Sequence, residues 1–210
     1  ISALAVTEPG GGSDVANLQT RAVREGEFYR VSGSKTFITS GVRADFYTVA
    51  VRTGEPGFSG ISLLLIEKGT PGFTVGRPLK KMGWWASDTA ELFFDDCQVP
   101  VGNLIGSENM GFACIMGNFQ NERLALALMA NMTAQLALEE SLKWAREREA
   151  FGKPIGKFQV IKHRLAEMAT ALEVSREFTY RQAAKMAAGK SVIKEISMAK
   201  NFATDTADRI

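Results

Sequence analysis

The sequence predicts an α+β chain in two parts: an antiparallel β-sandwich or barrel over residues 1–105, then an antiparallel helical bundle over 106–210, short of a complete four-helix domain. Three observations carry this. Glycine and proline punctuate short β-branched and aromatic runs through the first half. Near Gly111 the apolar period lengthens from two toward 3.6 residues, and Ala, Leu, Met, Glu and Lys take over. The second half then runs without a breaker for long enough to form about 58 Å of continuous helix. With 210 residues, 45% of them hydrophobic, the chain can bury a sizeable core.

The first element is the apolar stretch Leu4-Ala5-Val6, which leads into Thr7-Glu8-Pro9-Gly10-Gly11-Gly12-Ser13-Asp14. Glycines without Cβ let backbone N–H groups approach an anion or a ring edge, and the flanking hydroxyls can donate to the same ligand. A plain turn between two strands remains the other reading of these residues. The run is not the dinucleotide pattern G-x-G-x-x-G, because Val15 stands at its last position, and Gly33-Ser34-Lys35-Thr36 lacks the order of a P-loop. Strands are then expected at 28–31, 36–39, 46–51, 61–66, 73–75 and 90–94. Trp84 and Trp85 fit either core packing or the wall of a ligand groove.

The helical half opens with a helix over 111–149, ended by Gly152, Pro154 and Gly156. A second helix over 158–188 carries Ile161, Leu165, Met168 and Leu172 on one stripe and stops at Gly189. A third begins near Ser191. Three helices without a fourth leave an apolar face open, to be covered by more chain or by another subunit. The chain also starts without Met and runs out inside the helical pattern ending at Asp208-Arg209-Ile210, as expected of a segment of a longer protein.

On the long helix, at about 100° per residue, Glu122 falls on the side of Ile115, Phe119, Leu126 and Met129. None of its neighbours three or four residues away is a cation. A desolvated carboxylate in an apolar slot can abstract a proton from carbon; a salt bridge to another helix is the alternative. Arg123 points away, free to pair elsewhere or to bind an anion. The cations of Arg146-Glu147-Arg148-Glu149-Ala150-Phe151-Gly152-Lys153 suit the negative end of the helix dipole, and Arg148 and Phe151 could equally reach a phosphate and a ring. His163, between Lys162 and Arg164, reads as a surface or interface residue.

Composition excludes several classes. A net charge of +2, from 25 basic and 23 acidic residues, gives no patch suited to nucleic acid. No apolar run approaches the roughly 18 residues of a membrane span. Cys97, Cys114 and the lone His163 assemble neither a disulfide framework nor a zinc site, and so few cysteines suit a reducing compartment.

Taken together the motifs resemble the acyl-CoA dehydrogenases over essentially the whole chain. Ala5 to Asp14 matches the first signature, Lys35-Thr36-Phe37-Ile38-Thr39 the flavin-side strand, and Met82-Gly83 with Ser87-Asp88-Thr89 a later β segment. Glu147-Arg148, Phe151-Gly152-Lys153 and Gln159 match the helical-domain motif. Asn17 departs from the usual small residue and Phe37 from the tryptophan of many members.

The resemblance implies a middle β-domain and part of a C-terminal helical domain, from a homotetramer that binds FAD and oxidises acyl-CoA thioesters to trans-2-enoyl-CoA. An electron-transfer flavoprotein is the implied electron acceptor. Flavin-binding positions carried over are Leu4, Val6, Thr7, Gly12, Ser13, Phe37, Ile38 and Thr39, with Arg148, Phe151 and Gln159 crossing to the FAD of a neighbouring subunit. Ser13, Phe119, Gln120 and Arg123 match substrate positions, Gln120 replacing an acid of some members. Glu122 matches the catalytic base of the isovaleryl and long-chain branch, where other members use a glutamate further along. Asp88 to Phe94 is also most similar to the long-chain branch. Acyl-CoA oxidases and flavin monooxygenases share this scaffold, and a non-catalytic acyl-CoA module is the reading from outside the enzymes. The family's bacterial cytoplasm and mitochondrial matrix are left equal.

Overall fold

Alternating burial along Phe28–Thr39, in which Tyr29, Val31 and Lys35 turn inward, organises the first half of the computed structural model, which describes residues 1–210. This strand is β3. Around it run β1 (Ser2–Ala5), β2 (Arg21–Glu25), β4 (Phe46–Arg52), β5 (Ile61–Glu67), β6 (Phe73–Pro78), β7 (Thr89–Pro100) and β8 (Leu104–Ile105). They form one eight-stranded sheet in the order β6-β7-β3-β2-β4-β5-β8, with β1 beside β4. The pairing is antiparallel except for β1 with β4 and one parallel bridge of β2 with β4. These two departures arise because the β2–β3 hairpin intervenes before the chain returns as β4.

The sheet is open, yet it curls over one core. Tyr47 of β4 meets Phe73 of β6 edge-on at 4.7 Å although three strands separate β4 from β6 in sheet order, and Phe73 stacks on Phe94 at 5.1 Å. Leu64, Leu92, Val49 and Val99 fill the space between, each buried side chain contributing about 1.5–3 kcal/mol. The expected strands at 28–31 and 36–39 are two ends of β3, and 90–94 is the start of the twelve-residue β7. Short β1, β2 and β8 carry too few alternations to be seen in the sequence.

Two register shifts bend β3, one between Val31 and Gly33 and one between Lys35 and Ile38. At the first, Gly33 has φ +146°, and a Cβ there would lie 2.7 Å from the Thr20 backbone. Gly33→Ala is therefore expected to cost about 1–3 kcal/mol, through overpacking against an immobile backbone. An unchanged urea midpoint would contradict this.

The chain forms two units, Ile1–Met116 and Gly117–Ile210. The division falls inside the first helix, α1 (Gly111–Glu147), because its opening residue Gly111 lies on the Ser62 backbone, where a Cβ would approach to 2.7 Å. In the second unit α1 continues and is followed by the hairpin β9 (Glu149–Ala150) and β10 (Lys153–Pro154), then α2 (Gln159–Ala187) and α3 (Ile193–Arg209). Small side chains let the helices approach closely: Ala127 and Ala130 of α1 pack with Ala199 and Ala203 of α3. Ala134 and Leu138 pack with Leu172, backed by Leu165 and Met168 of the expected stripe. A buried polar set fixes the register, Asn131 donating to Thr179 Oγ1 at 3.0 Å and accepting from Ser175. Gly189, at φ +71°, closes α2: its N–H donates to the Met186 carbonyl and the N–H of Lys190 to that of Lys185.

Leu126, Met129, Met132 and Leu136 stay exposed along α1. This is the open apolar face that a three-helix bundle predicts. No helix is long and apolar enough to cross a membrane.

Candidate functional site

The glycine-rich segment leaves β1 and turns tightly, the Glu8 and Gly11 backbones exchanging N–H···O=C bonds of 3.1 and 3.0 Å. Val6 is buried, Leu4 and Thr7 are half-buried, and Gly10 to Ser13 face solvent. Gly12 packs closely on Thr7: a Cβ there would stand 3.0 Å from Thr7 Cγ2, so the threonine side chain would have to give way slightly. Thr36 N–H donates to the Thr7 carbonyl at 2.9 Å, so the segment is fastened beside β3.

The fastening continues underneath. Lys35, fully buried, donates from Nζ to Glu8 Oε1 at 2.9 Å and to the Val6 carbonyl at 3.0 Å. Glu8 also accepts the N–H groups of Gln19 at 2.6 Å and Thr20 at 2.8 Å. Burial pushes the Lys35 ammonium down to about 8, outweighing the hydrogen bond and charge of Glu8. Burial acts upward on Glu8, but its bonds from Thr20, Gln19 and Lys35 outweigh it, and the carboxyl is held below the ordinary carboxylate range.

Just beyond Lys35 the second bulge turns Phe37 outward at φ +58°, leaving it 66% exposed. Ile38 returns to the core and Thr39 is exposed. Of the first-half positions singled out in the sequence, the structure thus joins Val6 and Thr7 to the start of the 35–39 segment. It presents Ser13, Phe37 and Thr39 to solvent. Trp84 and Trp85 pack in no core; both are exposed, and Trp85 Nε1 donates to the Lys81 carbonyl at 2.8 Å.

On α1, Phe119, Gln120 and Arg123 are half-buried, and the Arg123 guanidinium stands 6.0 Å from the Phe119 ring centroid. Glu122 is exposed, and Asn118 Nδ2 donates to its Oε1 at 2.6 Å. The apolar slot expected around this carboxylate is not closed by this chain, because Leu126 and Met129 on the same face are themselves exposed. Glu122 shares its side of α1 with the exposed Leu126 and Met129, and its partner is a neutral amide one turn back.

At the far end of α1, Phe151 and Gly152 form the two-residue turn of the β9–β10 hairpin with φ +52° and +75°. The turn lifts Phe151 to 93% exposure at its tip, edge-on to Phe158 at 6.1 Å. Lys153 Nζ lies 4.6 Å over the Phe158 ring. Arg148 is exposed while its backbone is pinned, accepting from Ile155 N–H at 2.8 Å. Gln159 opens α2 with its side chain exposed, and His163 is on the surface. The structure therefore gathers Arg148, Phe151 and Gln159 at one helix–hairpin–helix junction.

Residues 3–97 match the acyl-CoA dehydrogenase middle domain and residues 109–210 the acyl-CoA dehydrogenase C-terminal domain. The chain belongs to the acyl-CoA dehydrogenase family. Cyclohexane-1-carbonyl-CoA dehydrogenase of Geobacter metallireducens is 43% identical over 210 residues, 100% of this chain and 55% of its own. The long-chain specific acyl-CoA dehydrogenase of Mus musculus is 43% identical over 181 residues, 85% of this chain and 42% of its own. A crystal structure of an acyl-CoA dehydrogenase from Geobacillus kaustophilus superposes with a TM-score of 0.97 at 47% identity, covering 100% of this chain and 56% of that one. The chain spans about half the length of the curated relatives it matches. Equal identity to an alicyclic and to a long-chain enzyme means that overall similarity does not select between those acyl groups.

The Glu8–Lys35 pair is the feature of this acyl-CoA dehydrogenase segment that sequence reasoning passed over. A signal existed: Lys35 holds an inward position of a strand whose other inward residues include Tyr29 and Val31, and an inward lysine needs an anion.

Proposed function

We propose that the protein to which this chain belongs dehydrogenates an acyl-CoA thioester to a trans-2-enoyl-CoA with FAD, and passes the electrons to an electron-transfer flavoprotein. FAD supplies the acceptor for the hydrogen leaving the β-carbon. Gly12, exposed and close against Thr7, together with exposed Ser13, Phe37 and Thr39, suits a flat anionic cofactor lying close to backbone. Arg148, Phe151 and Gln159 extend from their junction toward the cofactor of a neighbouring subunit in a homotetramer. Ser13, Phe119, Gln120 and Arg123 hold the acyl-CoA, the Arg123 guanidinium serving its anionic groups. Glu122 takes the α-proton: the α-C–H bond breaks, the proton passes to a carboxylate oxygen, and hydrogen bonding at the thioester carbonyl stabilises the developing charge.

Glu122 is the observation that carries this reading. It is an acid on an apolar helix face, pinned by the neutral Asn118 and joined in no salt bridge. The test is the visible spectrum of the full-length protein, recorded anaerobically before and after a panel of straight-chain, branched and alicyclic acyl-CoAs. A yellow protein bleached by at least one of them is expected. A colourless protein, or one that no acyl-CoA bleaches, contradicts the proposal, and oxygen consumption during turnover would identify an oxidase instead.

Arg148→Ala carries a second expectation. Loss of a charge-assisted hydrogen bond of about 1.5–3 kcal/mol should weaken FAD retention roughly ten- to a hundredfold. Flavin content unchanged after exhaustive dialysis would remove Arg148 from the cofactor site.

A further inference from the structure

The excursion over residues 9–18 leaves the sheet at Glu8 and returns at Gln19 and Thr20, and one carboxylate binds both ends. Lys35 completes the closure from β3, reaching that carboxylate and the Val6 carbonyl with one ammonium. Arg52 holds the far part of the excursion, donating from Nε to the Leu18 carbonyl at 3.1 Å and from Nη2 to the Ala16 carbonyl. Between these clamps Gly10 to Ser13 lie exposed. Stability alone does not explain the charges, because an apolar pair of similar volume generally serves a core as well or better. Directionality does: two ionised groups fix three backbone segments, 6–8, 19–20 and β3, within hydrogen-bond tolerance.

We propose that Glu8 and Lys35 are positioning residues for the cofactor, closing the base of the 9–18 excursion so that the Gly10–Ser13 backbone is held beside the 36–39 segment. This rests on the FAD reading above and assigns the pair no part in proton or hydride transfer. The probe is FAD itself, titrated into deflavinated full-length protein. The variant is Glu8→Gln with Lys35→Met, which removes both charges while keeping an acceptor for the Gln19 or Thr20 N–H and a side chain to fill the lysine's space. Global unfolding is followed by far-ultraviolet circular dichroism, and the flavin's surroundings by its visible circular dichroism.

The expected variant unfolds near the wild-type midpoint but binds FAD about tenfold more weakly, with an altered visible band. A folded variant with wild-type FAD affinity and an unchanged band overturns the proposal. A variant that does not fold also overturns it, since the pair is then a requirement of the fold. Wild-type protein that takes up no FAD fails the flavoprotein reading itself, whereas loaded wild type beside an indifferent variant fails only the positioning role.

Discussion

Full-length protein carrying Glu122→Gln is expected to stay yellow and to keep its flavin oxidised on addition of an acyl-CoA that bleaches the wild type. Glutamine has the shape of glutamate and retains a carbonyl oxygen to accept from Asn118, so the bond now made at 2.6 Å survives and the helix is undisturbed. What disappears is the capacity to take a proton. A positioned general base contributes about 10²- to 10⁴-fold, and the rate of anaerobic flavin reduction should fall by that factor with little change in acyl-CoA affinity. Reduction within tenfold of wild type would place the base elsewhere in the full protein. The paired control is Asn118→Ala, which removes the partner and leaves the carboxylate. It should cost far less, because the acid itself remains.

Much of this architecture could be read from the residues because local chemistry decides it. Gly152 and Pro154 end the helical pattern, Gly152 taking part in the hairpin turn, and Gly189 supplies the left-handed stop of α2, so helix ends fell within a few residues of their observed positions. Inward positions of β4 and β5 follow from alternation or continuous apolarity. What could not be read depends on partners distant in sequence. Lys35 and Glu8 are 27 residues apart, and nothing local says that one lysine of a strand faces inward onto that acid. Glu122 shows the complementary case. Helical periodicity gives the side of α1 on which it lies, but Leu126 and Met129 beside it are exposed, and periodicity does not say what lies over a face. The parallel pairing of β1 with β4 was hidden for the same reason: register between strands some 40 residues apart is set by the sheet, beyond the reach of a four-residue run.

The larger effect on stability is expected from Lys35→Met alone. It strands the Glu8 carboxylate, 8% exposed, without its cation and leaves the Val6 carbonyl without its donor. Breaking one partner of a buried pair costs about 3–5 kcal/mol, whereas removing both charges together costs little, so the single variant should unfold at a lower urea concentration than the double. The pH dependence has a definite sign. Lys35 titrates near 8 in the fold against 10.5 for an ordinary lysine, so between those values the unfolded chain binds a proton that the folded chain has released. Stability from this group therefore rises with pH across that window, because a neutral amine is less costly to bury than an ammonium. A methionine in place of this lysine cannot titrate, and the gap between wild type and the single variant should widen from pH 8 upward. Glu8 acts at the other end: held below the usual 4.5, it contributes stability above that value, which is lost as the pH falls through its folded range. Urea midpoints measured for wild type, single and double variants across both windows test all three statements. Equal midpoints for the two variants, or a gap that stays flat above pH 8, would show that the ammonium is not buried against Glu8 as the structure has it.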